Sequence, residues 1–299
     1  MSELLEIYRD FVCHRQETFL KKLKDPNHVS PILGTNKFTN VHRVLDRVSQ
    51  YELSEVIYKG SQNPYDVLIR IFMFNQFKTI AFWDTLKASG ITKLSDIPKM
   101  IQEYQGAAKL FTSAYVVPGK AGETKGQTII NRTIALVGCK GLLKVAIANK
   151  DINEVYKILT NINGIGGFLG SQVCFDFLWH ESTEGWEPLY QLGVGAIRGA
   201  TKMGLNPKKP QDSLETAKKV LTDYPYAYAN GQPVPLFPAD IQNTFCESDK
   251  WFRLVRPDIK TSASAPTTIK NKYKPGSEIQ YKVPGFWVGT KGLVVVDLP

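Results

Sequence analysis

Residues 162–176 read Ile-Asn-Gly-Ile-Gly-Gly-Phe-Leu-Gly-Ser-Gln-Val-Cys-Phe-Asp, and a Gly164-Ile165-Gly166 turn inside them closes one helical run and opens another. Two glycines around one apolar residue allow a tight hairpin between helices. The first backbone N–H groups of the second helix have no intrahelical acceptor, so they can hold a phosphate.

Most of the chain before residue 250 carries helical periodicity. An amphipathic helix is expected over 3–24, ending before Asp25-Pro26. Thr39 is a plausible N-cap for a helix over 40–58, with Val41, Val44, Leu45 and Val48 on one stripe. Further helices are expected over 65–77, 79–88, 96–110, 128–137, 140–148, 151–160, 168–179, 212–222 and 238–252, with a loop over 111–128 and a glycine-punctuated stretch at 193–204. After Pro257 the apolar period disappears, and β-branched runs in 278–297 suggest one or two short strands. The expected fold is mainly α, a helical bundle with a few short C-terminal strands. The expected division is a helical catalytic domain over 1–256, with the hairpin at about 160–180, and a basic extension over 257–299.

The net charge of +9 suits a polyanionic partner. Residues 250–282 alone carry a net six positive charges, including Lys270, Lys272 and Lys274, which are candidates for DNA-backbone contact. A solvated basic loop is the alternative. No apolar run approaches the roughly 20 residues of a membrane helix, and the N-terminus lacks a signal-like stretch, so no membrane partner is expected. Cys13, Cys139, Cys174 and Cys246 form no C-x-x-C pair, and the four histidines have no ligand spacing, so no structural zinc is expected.

Four segments could carry chemistry. The hairpin contributes Gly164 and Gly166 as backbone donors and Asp176 as a general base among phenylalanines. Asn40, Arg43 and Arg47 would share one face of the 40–58 helix, with Asp46 beside Arg43. Gly193-Val-Gly-Ala-Ile-Arg198-Gly suggests an anion cradle with a bidentate arginine, and is no P-loop. Asp240, Asn243, Glu247 and Lys250 recur at helical spacing, a pattern able to bind a hydrated Mg²⁺ or to orient an amine. Each segment also has a bland alternative: a helical connection, a solvated face or a structural ion pair.

Taken in order, Thr39-Asn-Val-x-Arg-Val-Leu-Asp-x-Val-Ser, the hairpin, Gly193-x-Gly-Ala-x-Arg-Gly and Asp240-x-Gln-Asn-x-x-Cys-Glu-x-x-Lys resemble the α-glutamyl/putrescinyl thymine pyrophosphorylase family of bacteriophages, or amino acid:DNA transferases. The same module resembles the helical domain of 5-hydroxymethyluracil DNA kinases, and its hairpin resembles the helix-hairpin-helix of the DNA-glycosylase superfamily. The resemblance implies displacement of pyrophosphate from 5-pyrophosphoryloxymethyluracil in double-stranded DNA by an amino acid or polyamine, in the cytoplasm of an infected bacterium. It implies a flipped base, a leaving group neutralised by Arg43, Arg198 and Lys250 with or without Mg²⁺, and a base among Asp176, Asp240 and Glu247. Arg47, Asn40 and Asn243 would hold the donor and substrate. The alternatives are base excision and a non-catalytic DNA-binding module. Lyase-type glycosylases carry a lysine in the hairpin, and this one has none.

Overall fold

The computed structural model describes residues 2–34, 36–88, 121–259 and 279–297. In chain order the helices are α1 (Glu3–Lys24), α2 (Arg47–Glu52), α3 (Pro64–Phe77), α4 (Ile80–Ala88), α5 (Lys125–Gly138), α6 (Lys140–Ala148), α7 (Ile152–Thr160), α8 (Gly167–Phe177), α9 (Val194–Lys202), α10 (Pro210–Lys219) and α11 (Pro238–Val255). Two antiparallel pairs accompany them, β1 (Tyr228–Ala229) with β2 (Gln232–Pro233) and β3 (Lys282–Pro284) with β4 (Leu293–Val295). The fold is therefore mainly α with short strands, as the periodicity predicts. The helix expected over 96–110 lies outside the described residues, as do Lys270, Lys272 and Lys274. Among the described residues no helix is long and apolar enough to cross a membrane.

The chain forms two compact units, residues 1–50 with 190–299 and residues 51–189. In the first, α1 starts at a Ser2 N-cap, with Glu3 and Glu6 in its first turn and Lys21, Lys22 and Lys24 in its last, the polarity a helix dipole favours. Its apolar stripe enters a core with Val41, Leu214, Ile241, Phe245 and Phe252. Phe11 stacks on Trp251 with ring centroids 5.2 Å apart. Helices α9 and α11 approach so closely at Gly199 that an added Cβ would overlap the Phe245 carbonyl. The β3–β4 pair belongs to this unit: Gln50 donates to the Lys282 carbonyl at 2.8 Å and accepts its N–H at 2.7 Å.

The second unit is built around α3, opened by Asn63 as N-cap and Pro64 as first residue. It is buried nearly all round, which is the pattern of a central helix. Helix α8 packs against α3, and α7 and α8 form the hairpin. Gly164 sits at φ +85°, where a side chain is strained and would strike the Arg132 guanidinium. Close packing explains Gly170, whose Cβ would meet the Thr160 methyl at 2.7 Å.

The segment after Thr39 departs from the expected helix. Residues 39–42 are not helical, Arg43–Leu45 is one 3₁₀ turn, and a π turn over Leu53–Ile57 follows α2. Side chains displace the helical ladder there. Asp46 accepts the Asn40 N–H at 2.9 Å, and the Asn40 amide donates to the Leu45 carbonyl at 2.6 Å. The Gln50 amide donates to the Val44 carbonyl, also at 2.6 Å. Such local bonds compete with helix. Asn40, Arg43 and Arg47 therefore do not share one helical face, and Arg47 is solvent-exposed.

Candidate functional site

Three segments distant in sequence meet in the first unit: 39–46, α9 and α11. Asp240, near the start of α11, accepts the Arg43 N–H at 2.8 Å and the Phe237 N–H at 3.0 Å. Burial pushes its pKa up to about 6, against the opposing pull of those two N–H donors. Asp46 is likewise raised by burial to about 6. One turn along α11, the Asn243 amide donates to the Asn40 carbonyl at 3.0 Å and to the Thr39 hydroxyl at 3.1 Å.

Further along, Glu247 is 3% exposed. Its Oε1 pairs with Lys250 at 2.7 Å. Its Oε2 is buried and has no hydrogen-bond partner among the described residues. Buried polar atoms are almost always bonded, so such an oxygen is a functional lead. The acidic side of α11 is therefore an inward-facing polar seam rather than a wet helix face.

Arg198 does not stand free over a glycine cradle. It is buried in α9, and its Nε donates to Asp249 at 3.0 Å. Lys202 reaches the other oxygen of Asp249 at 3.0 Å. Nine residues separate Asp249 from Asp240, about 13 Å at a helical rise of 1.5 Å. Arg43 and Arg198 thus meet α11 at different turns.

Asp176 belongs to the second unit. Its Oδ2 accepts from Lys78 Nζ at 2.8 Å and from the Asn75 amide at 3.0 Å. Lys78 also pairs with Glu52 at 2.5 Å, and Asn75 donates to Glu52 at 3.1 Å. Both carboxylate side chains are wholly buried, and Lys78 shows 12% of its side chain. Burial alone would lower the lysine's pKa, but Asp176 and Glu52 outweigh it and hold it above the usual value. Lys78 is in the left-handed conformation at φ 50° and ends α3.

In the hairpin, Gly166 caps α8 without a side-chain acceptor, and Phe168 near the helix start is 49% exposed. Gly193 caps α9 in nearly the same conformation, φ −77° and ψ 168° against −78° and 168°.

Sequence reasoning missed Glu52, Asn75, Lys78, Arg15 and Asp249. Two of them carried a signal. Arg15 falls on the α1 stripe of Tyr8, Phe11, Val12 and Phe19, and Asp249 falls between Phe245 and Phe252 on that of α11. A charge within an apolar stripe needs a partner. Among the described residues no three His, Cys, Asp or Glu side chains gather to hold a metal ion.

A family model described as "5-hmdU DNA kinase, helical domain" matches residues 2–261. No curated protein and no solved structure matches the chain.

Proposed function

The chain belongs to the family of the 5-hmdU DNA kinase helical domain, and on that premise we propose that it is a transferase of thymine hypermodification in DNA. A helical domain named for a kinase of 5-hmdU in DNA supports both the setting and DNA as the partner. The finer reading is amine transfer to 5-pyrophosphoryloxymethyluracil. The amine lone pair forms a C–N bond at the exocyclic methylene. The C–O bond breaks, and its electrons leave with pyrophosphate. One proton of the incoming amine passes to a carboxylate.

The observation that carries this reading is Glu247 Oε2, a buried acceptor without a hydrogen bond among the described residues, on the seam where Asn40, Arg43 and Asn243 gather. We assign Glu247 as the base, and Arg43 and Lys250 as cations for the leaving group. Asn40, Asn243 and Arg47 position donor and substrate. Asp240 holds the backbone of the seam. Arg198 supports α11 through Asp249. The Gly164–Gly166 turn and the segment with Lys270, Lys272 and Lys274 are assigned to the DNA backbone.

The test is mass spectrometry of nucleosides after incubation of pyrophosphorylated DNA with a mixture of amino acids and polyamines. An adduct mass on the modified thymidine, formed with pyrophosphate release only when amine is present, is the expected result. Unchanged nucleosides in every mixture would overturn it.

One observation favours a second reading, base excision. The hairpin lacks a lysine, but Lys78 supplies one 2.8 Å from Asp176. Its raised pKa opposes that chemistry, because an attacking lysine must be a neutral amine.

A further inference from the structure

The first unit holds a cleft of about 100 Å³ that the transfer chemistry leaves unused apart from Asn40 at its edge. One wall is α1, with Arg15, Thr18 and Lys22; the other is the segment carrying His28, Lys37 and Asn40. Among the described residues no aspartate or glutamate lines it. Three of its side chains are arginine or lysine.

Arg15 is the anchor and is 3% exposed. Its Nε and Nη2 donate to the Thr39 carbonyl at 3.2 and 2.5 Å, and Nη2 reaches the Asn40 carbonyl at 3.3 Å. Its Nη1 is buried with no hydrogen-bond partner among the described residues. Glu247 and Asp46 act on this guanidinium at longer range. Neither closes to ion-pair distance with it. Glu247 is engaged with Lys250, and Asp46 with the Asn40 N–H.

A buried guanidinium N–H without an acceptor is costly. The described residues that line the cleft with Arg15 include two lysines and no carboxylate, a setting that calls for an anion with several oxygens. The volume is well below the roughly 300–1,000 Å³ of pockets for drug-sized ligands. It suits one or two phosphoryl groups, not a whole nucleotide.

We propose that this cleft binds a phosphoryl anion through Arg15 Nη1, Lys22 and Lys37, supplied either as free pyrophosphate or phosphate, or as a phosphate of the DNA backbone. The inference does not depend on amine transfer: the site would exist whatever reaction the protein performs. Burial lowers the pKa of Lys22 to about 8. A bound anion would restore its charge, so binding at mildly alkaline pH should take up protons.

The test is calorimetric titration of the full chain with inorganic pyrophosphate, inorganic phosphate and a short unmodified duplex, in two buffers of different ionisation enthalpy. Lys22→Gln and Lys37→Glu are compared with Lys219→Glu, an exposed lysine on α10 that is not among the residues lining the cleft. Circular dichroism confirms that all three variants fold. Saturable pyrophosphate or phosphate binding with proton uptake, weakened about tenfold by the cleft variants and unchanged by Lys219→Glu, supports the free-anion source. Loss confined to the duplex, again specific to the cleft variants, supports the backbone source. No saturable binding of either small anion, with the three variants alike on DNA, overturns the proposal.

Discussion

Lys78 Nζ lies 2.8 Å from Asp176 Oδ2, and the lysine reaches it from a left-handed backbone position at φ 50°. A non-glycine residue in that region costs about 1–2 kcal/mol. The contacts with Asp176 and Glu52 offset this cost. They also neutralise one of two carboxylates held at full burial by α2 and α8.

Removing that cation should be severe. Lys78→Met removes the cation that Glu52 and Asp176 share at full burial, and a loss of about 3–5 kcal/mol is expected near neutral pH. The folded pKa of Lys78 is raised, so its pairing stabilises fully below the unfolded value of 10.5 and fades as pH rises through the folded one. Wild type should therefore lose stability in strong alkali that Lys78→Met has already lost. Urea unfolding across pH checks both; a variant of wild-type stability at neutral pH would contradict the geometry.

The same raised pKa bears on mechanism. An ammonium held by two carboxylates is no nucleophile, so Lys78 should form no imine with an abasic site. Borohydride treatment of the protein with abasic DNA is expected to yield no covalent adduct. A trapped adduct mapped to Lys78 would instead favour base excision.

Asp240 and Asp46 make the opposite test in the first unit. Burial raises both to about 6. A raised carboxylate pKa means the folded state holds the proton more tightly, so this stabilisation is present in acid and is lost as pH rises through about 6. For Asp240 the expected effect is on the order of 1–3 kcal/mol between pH about 7 and about 4. Asp240→Asn keeps the shape and should remove that slope. Denaturant unfolding at several pH values reads the difference, and parallel profiles would refute it.

Helix positions were legible in the sequence because apolar spacing fixes them, and the hairpin because Gly164 must adopt a positive φ. The 39–58 segment was not, because Asn40, Asp46 and Gln50 act on backbone groups five or six residues away, beyond what periodicity encodes. Of the candidate site, the atoms in contact were not legible: Asp240 meets the Arg43 backbone, not its guanidinium, and Asp176 belongs to the other unit. The Lys78 network stayed hidden because Glu52, Lys78 and Asp176 come from three elements and none is unusual in its local string.

The α9–α11 seam is a packing claim with a sharp test. Asp249→Ala leaves Arg198 and Lys202 buried without their shared carboxylate and should cost about 3–5 kcal/mol. Gly199→Ala drives a methyl into the Phe245 carbonyl and should cost about 1–3 kcal/mol or more. Thermal melts of the two variants are expected to fall well below wild type, and a tolerated Gly199→Ala would mean the helices can separate.

Glu247→Gln separates chemistry from fold. Glutamine keeps the volume and can still accept from Lys250, so the melt should move little. It cannot take a proton from an incoming amine. Loss of a positioned base slows a reaction by roughly 10²–10⁴-fold, and pyrophosphate release from modified DNA should fall by that factor while DNA affinity holds. Asp176→Asn supplies the contrast, since that carboxylate is assigned to the Lys78 network and not to the transfer. If Asp176→Asn abolishes turnover in a folded protein and Glu247→Gln does not, the base lies in the second unit and the α11 seam is scaffold.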